Sequence, residues 1–282
     1  MIEMKAVTKQ LDKFRLKPVT FSIPNGYICG LVGENGAGKT TLLHLLLGLY
    51  RMDGGELSID GMGYGNAEKE LHDRIGTVLV DDLFDRRVSL LENADYYGSF
   101  YSKYNREEML RYLERFHLDK GRKFGRLSKG EKLKCQFAFA LSHDAKLLIL
   151  DEPTANFDPE FRTQFFEILK EYIADGTRSV ILATHLTEDI DRIADYLIYL
   201  EKGEQIFTGD LEQFRSKYRM VTGDKYQLKK LPEENLIHIE EGPYGAKALV
   251  SHNRWVQYGE LQVTYPTIEE FMFFYSKRGK RA

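Results

Sequence analysis

Gly33-Glu34-Asn35-Gly36-Ala37-Gly38-Lys39-Thr40 decides how this chain folds. The octet fits GxxxxGK[ST], in which glycines let the backbone curl until successive N–H groups face one anion. Before it, Tyr27 to Val32 reads as a buried strand; after it, Thr41 to Leu49 reads as a helix. A strand, a glycine loop and a helix in that order aim the helix dipole at a bound phosphate. Lys39 is expected to reach the β- and γ-phosphates of a nucleoside triphosphate, and the Thr40 hydroxyl to ligate Mg²⁺. Gly33, Asn35, Gly36, Ala37, Gly38 and Thr41 complete the expected nucleotide contacts. A chance glycine turn would lack the two flanking elements.

Downstream, Leu147-Leu148-Ile149-Leu150-Asp151-Glu152-Pro153 is an apolar strand ending in two acids. Both carboxylates should emerge at the C-terminal edge of a parallel sheet, where open α/β sheets bind ligands. Asp151 would hold Mg²⁺ through water and Glu152 would polarise an attacking water. Alone, such an acid pair is usually a capped loop; the phosphate loop in the same chain favours chemistry.

Outside these motifs, short strand-like runs alternate with helical ones, which predicts an α/β domain with a mostly parallel sheet. Strands are expected at Ile75 to Val80, Arg178 to Ala183 and Tyr196 to Leu200, and helices at Ser89 to Lys103, Glu107 to Phe116, Glu131 to Ser142 and Pro159 to Ala174. From about Met220 the pattern changes to short alternating runs, at Lys225 to Leu228, Leu236 to Ile239, Lys247 to Val250 and Leu261 to Tyr265. A closing helix follows at Thr267 to Tyr275, so a small α+β appendix is expected.

The composition excludes several classes. Of 282 residues, 43% are hydrophobic and 29% charged, which is neither disordered nor membrane-spanning. A net charge of −3 gives no basic excess for nucleic acid. The longest apolar stretch, Leu42 to Tyr50, is far below the roughly 20 residues a membrane helix needs. Cys29 and Cys135 lie among apolar residues with no CxxC or Cys/His pattern, so both are expected to be small buried hydrophobes.

With the phosphate loop and the acid pair in place, the chain resembles ABC-transporter nucleotide-binding domains over roughly residues 1 to 218. Leu127-Ser128-Lys129-Gly130-Glu131 is similar to their LSGGQ signature, with Lys and Glu replacing the middle Gly and the Gln. The resemblance implies that Ser128, the Gly130 amide and the helix they open face the γ-phosphate held by a second subunit. Ala155-Asn156-Phe157-Asp158 resembles the D-loop, whose Asp158 would communicate across that dimer. Thr184-His185 resembles the switch histidine that touches the γ-phosphate. The Leu200-Glu201-Lys202-Gly203-Glu204 turn resembles the closing hairpin.

Two positions depart from the family pattern. Val80 falls where the family carries a glutamine, so the link to metal and water is made by Asp81, Asp82 or a water, or is missing; Asp81 is the candidate Mg²⁺ ligand. The adenine-stacking aromatic is expected at Phe14, with a core role as the alternative.

The implied fold is a P-loop cassette of mixed, mostly parallel sheet, with an antiparallel β subdomain and a helical subdomain at about 84–142. The cassette is expected to span 1–218 and the appendix 219–282. The implied activity is ATP hydrolysis with ATP and Mg²⁺, in a homodimer that powers a separate integral membrane subunit. The implied location is cytoplasmic, peripheral on the inner face of the membrane. The LSKGE signature, Asp81-Asp82 and Pro266-Thr267-Ile268-Glu269-Glu270-Phe271 look like the ATPases of ABC-2-type bacterial exporters of antimicrobial or toxic peptides. A regulatory nucleotide-binding module, or a soluble ABC ATPase without a transport role, is the competing expectation.

Overall fold

The computed structural model describes all residues except 66, 82, 243–244, 253–257 and 279–282. The chain runs β1 (Ile2–Leu11), β2 (Phe14–Ile23), β3 (Ile28–Val32), α1 (Lys39–Leu46), β4 (Gly54–Ile59), α2 (Glu68–Asp73) and β5 (Ile75–Val78). Next come α3 (Leu90–Gly98), α4 (Arg106–Arg115) and α5 (Lys129–Leu141). Then follow β6 (Leu147–Asp151), α6 (Pro159–Ile173), β7 (Ser179–Ala183), α7 (Thr187–Ile193), β8 (Tyr196–Glu201) and β9 (Glu204–Asp210). The chain closes with α8 (Leu211–Lys217), β10 (Tyr218–Gly223), α9 (Lys225–Leu228), β11 (Leu236–Gly242), β12 (Gly245–Ser251), β13 (Gln262–Thr264) and α10 (Ile268–Ser276).

Three sheets result. The central one has the order β5-β6-β7-β3-β8-β9 and is parallel except for β9, which returns antiparallel on β8. Its middle strands are apolar on both faces because helices and a second sheet cover them; every residue of β3 and β7 is buried. The second sheet, β2-β1-β4, is antiparallel, and its inward residues Ile2, Met4, Leu16, Val19 and Phe21 share a core with α1. The third, β11-β12-β10-β13, is antiparallel and lies in the C-terminal part.

Two expectations change. Lys225 to Leu228 is the short helix α9, not a strand: Asp224 caps it, and Gln227 reaches back to the Asp224 amide. That reciprocal capping box outweighs a four-residue alternation. The strand from Ile75 stops at Val78, two residues before Val80. Cys29 and Cys135 are buried and free, and burial pushes both thiols upward in pKa, as suits inert core residues.

The closing helix fastens the C-terminal part to the cassette. Phe271 is fully buried, with its ring 5.5 Å from Tyr199, 5.0 Å from Phe214 and 4.5 Å from Tyr218. The α10 amide of Ile268 donates to Asp191, and Arg278 pairs with the buried Glu201. Phe271→Ala is therefore expected to destabilise the chain by about 3–5 kcal/mol. Urea unfolding checks this; a loss under about 1 kcal/mol would mean that α10 contributes little to the core.

Candidate nucleotide-binding site

The first turn of α1 is left open. Its N-cap, Gly38, has φ 112°, makes no side-chain cap, and no acid follows in the first turn. By contrast α3, α5 and α10 close their first turns with Ser or Thr capping boxes to Glu92, Glu131 and Glu270. An uncapped helix start with free amides and a cation in its first turn suits an anion. Glycine is required at Gly38 by packing as well, since a Cβ there would stand 2.8 Å from Phe14 Cζ.

Lys39 is 8% exposed and its ammonium folds back to donate to the Gly33 carbonyl at 2.7 Å. Burial lowers its pKa, opposed by the nearby Glu152 and Asp151 charges. The ammonium is thus held in a partly dry position without a direct carboxylate partner among the described residues, which suits capture of a phosphate oxygen.

A cleft of about 480 Å³ opens in front of the loop, lined by Phe14, Glu34, Asn35, Gly36, Gly38, Lys39, Thr40, Thr41, His44, Val80, Asp81, Asp151 and Glu152, with Leu11 and Leu79. Gly33 and Ala37 lie behind it. Ala37 is buried and its N–H is spent on Glu34 O at 3.0 Å, while a Cβ on Gly33 would stand 2.4 Å from the Leu200 carbonyl.

Strand register brings the second group in. Asp151 sits opposite Ala183 across β6 and β7, so Glu152 and His185 leave adjacent strand ends together. Glu152 Oε2 accepts from His185 Nδ1 at 2.6 Å, Thr184 Oγ1 at 3.2 Å and His185 N at 3.3 Å. Glu152 has φ 49°, a left-handed conformation that costs a non-glycine residue about 1–3 kcal/mol and is found at functional sites. The Asp151 carboxylate accepts no hydrogen bond among the described residues. Burial first, then Glu152 and Asp81, raise its pKa to about 6, while Lys39 opposes.

That carboxylate is poised for a cation. No cluster of three or more His, Cys, Asp or Glu able to hold a metal exists among the described residues. A divalent ion would therefore combine Thr40 and Asp151 with phosphate oxygens and water, the arrangement Mg²⁺ favours. The residues fit the ion.

Ser128, Gly130 and Asp158 do not line this cleft. Ser128 caps α5, and its hydroxyl accepts from the Glu131 amide, which leaves its proton free to donate. Glu131, which stands where the signature has glutamine, pairs with Arg122 at 2.6 Å, so its charge is offset. Gly130 packs against the Asn156 carbonyl, 2.4 Å from where a Cβ would be. Asp158 caps α6 and pairs with Lys134 at 3.0 Å. Phe14 is half-buried and borders both the cleft and an adjoining hollow that also holds Tyr50. Tyr50, edge-on to His44 at 4.9 Å, carried no motif and was not singled out from the sequence. Asp82 lies outside the described residues.

The loop is shaped to take a polyphosphate, and the carboxylate–histidine pair at its rim is placed to orient a water; such an arrangement suits a P-loop nucleoside triphosphatase. Known proteins narrow that class. The ABC transporter family model matches residues 16–155. The Nod factor export ATP-binding protein I of Rhizobium meliloti (strain 1021) is 31% identical over 251 residues, covering 85% of this chain and 75% of its own length. The ABC transporter ATP-binding protein NatA of Bacillus subtilis (strain 168) is 31% identical over 212 residues, 72% of this chain and 85% of its own. Among solved structures, an ATP-binding subunit of an ABC transporter superposes with TM-score 0.71 at 25% identity, over 76% of this chain and 92% of that one. A dimeric ATP-binding cassette in a post-hydrolysis state with ADP and Pi superposes with TM-score 0.68 at 25% identity, over 75% and 99%. This chain belongs to the ABC transporter ATP-binding family, and it is an ATPase of that type.

Proposed function

We propose that the chain is the motor subunit of an exporter: two copies close head to tail on MgATP, hydrolyse it and drive a separate membrane subunit. The observation that carries this reading is the Glu152–His185 pair at the rim of a cleft that Lys39 borders. In each site Lys39 binds the β- and γ-phosphates and Phe14 receives the adenine. Ser128 and the Gly130 amide of the second copy cover the γ-phosphate. Glu152 takes up the proton of the attacking water as His185 steadies the terminal phosphate. A divalent ion held by Thr40 and Asp151 would neutralise charge on the phosphates. Asp158, placed beside Lys134 on the signature helix, relays closure between the copies. We treat 219–282 as an appendix to the cassette 1–218, since it carries none of these residues.

No helix among the described residues is long and apolar enough to cross a membrane; in this reading a separate membrane subunit does so. A groove of about 770 Å³, lined by Leu83, Phe84, Tyr97, Phe100, Tyr101 and Phe139, suits a helix of that partner. Phe100 and its neighbour Tyr96, whose rings are 5.8 Å apart, are each 64% exposed. Outward transport is supported by the name of one relative, the Nod factor export ATP-binding protein I. The test is ATP turnover of the chain alone and with its membrane partner; a partner that leaves turnover unchanged would contradict the motor role.

Val80 is 66% exposed and supplies no oxygen to the cleft it lines. Asp81 is beside it, so Asp81→Ala should depress turnover several-fold while Val80→Gln changes little. Steady-state hydrolysis decides: a gain on Val80→Gln with no effect of Asp81→Ala would show that the link is missing, not replaced.

A further inference from the structure

Gln136 sits among apolar residues of α5 and is 2% exposed. An apolar side chain of its size would fill the same space, and a buried amide costs free energy unless both its ends are bonded. Both ends are, to one short backbone segment. Gln136 Oε1 accepts from the Leu79 amide at 2.8 Å, and Nε2 donates to the Asp81 carbonyl at 3.0 Å. The pairing of β5 with β6 has ended at Val78, so these bonds take over where the sheet stops.

The gripped segment places Leu79, Val80 and Asp81 in the wall of the nucleotide cleft. Gln136 itself borders the apolar groove on the other side, beside Leu83, Phe84 and Phe139. Its helix begins at Ser128. One amide therefore ties the signature helix to the cleft wall, at the junction of groove and cleft. We propose that Gln136 is a positioning residue for ATP hydrolysis: it fixes Leu79–Asp81 against the nucleotide, and through that segment it transmits a shift of the groove or of α5 to Asp81.

This inference rests on the nucleotide site assigned above. Failure of that assignment would show itself separately, as ATP turnover surviving Lys39→Ala. The test compares Gln136→Met, which keeps the volume and loses both bonds, with Gln136→Glu, which keeps the acceptor and loses the donor. Each is measured for melting temperature, ATP KM and kcat, alone and combined with Asp81→Ala. The expected result is a kcat about tenfold or more lower for Gln136→Met, as misplacement of a site by less than an ångström can produce. Its KM should stay within twofold, Gln136→Glu should fall between, and neither should lower kcat further once Asp81 is alanine. If the Met variant fails to fold, the Glu variant decides alone. Wild-type kcat in a folded variant would overturn the proposal. So would an equal loss with and without Asp81, because Gln136 would then act by another route.

Discussion

Lys39→Ala should abolish tight ATP binding while leaving the fold intact. The ammonium stands in the first turn of α1, where no side chain caps the helix, and the cleft beside it has no other lysine or arginine among its described lining residues. Removing one partner of a buried, charge-assisted contact costs about 2–5 kcal/mol, which is about 30- to 5000-fold in affinity. The fold should survive because burial disfavours this charge in the nucleotide-free chain. Alanine relieves that desolvation and gives up only hydrogen bonds to loop carbonyls. A nucleotide titration and a melting curve on the same sample check both halves. Unchanged affinity in a folded mutant would remove the phosphate role from Lys39.

Glu152→Gln should bind MgATP normally and hydrolyse it about 10²- to 10⁴-fold more slowly, the usual cost of losing a general base. The amide oxygen can still accept from Thr184 and His185, so the site keeps its shape. What it loses is the capacity to take a proton from water. Near-normal turnover would point to another base, with Asp81 in the cleft wall a candidate.

The parts of this site that were legible in the sequence are those written in local spacing. The phosphate loop and the acid pair are each a strand running into a short fixed pattern, and both strands are present as β3 and β6. The meeting of Glu152 with His185 was implied only by resemblance, because it depends on β6 and β7 being parallel neighbours in register. Gln136 was invisible: a single amide in an apolar helical run has no signal until its helix packs on β5. The helix at Leu211–Lys217 was not anticipated, although Asp210 accepting from Gln213 marks its start. At Lys225 the short alternation misled where the Asp224–Gln227 pair was the better guide. Phe271 lies in a closing helix that was expected from the sequence. Its partners Tyr199, Phe214 and Tyr218 lie up to 72 residues away and needed the fold to name them.

In the proposed dimer each ATP is enclosed by the Lys39 loop of one copy and the Ser128 end of α5 from another. Within one chain Ser128 and Gly130 stay out of the cleft, so they can act only if a second copy brings them. Sedimentation velocity of Glu152→Gln with and without MgATP tests this most directly, since slow hydrolysis holds the closed state. The account predicts monomer without nucleotide and dimer with MgATP, and loss of that dimer when Ser128→Arg is added. A chain that binds MgATP yet sediments as a monomer, or a dimer indifferent to Ser128, would contradict it.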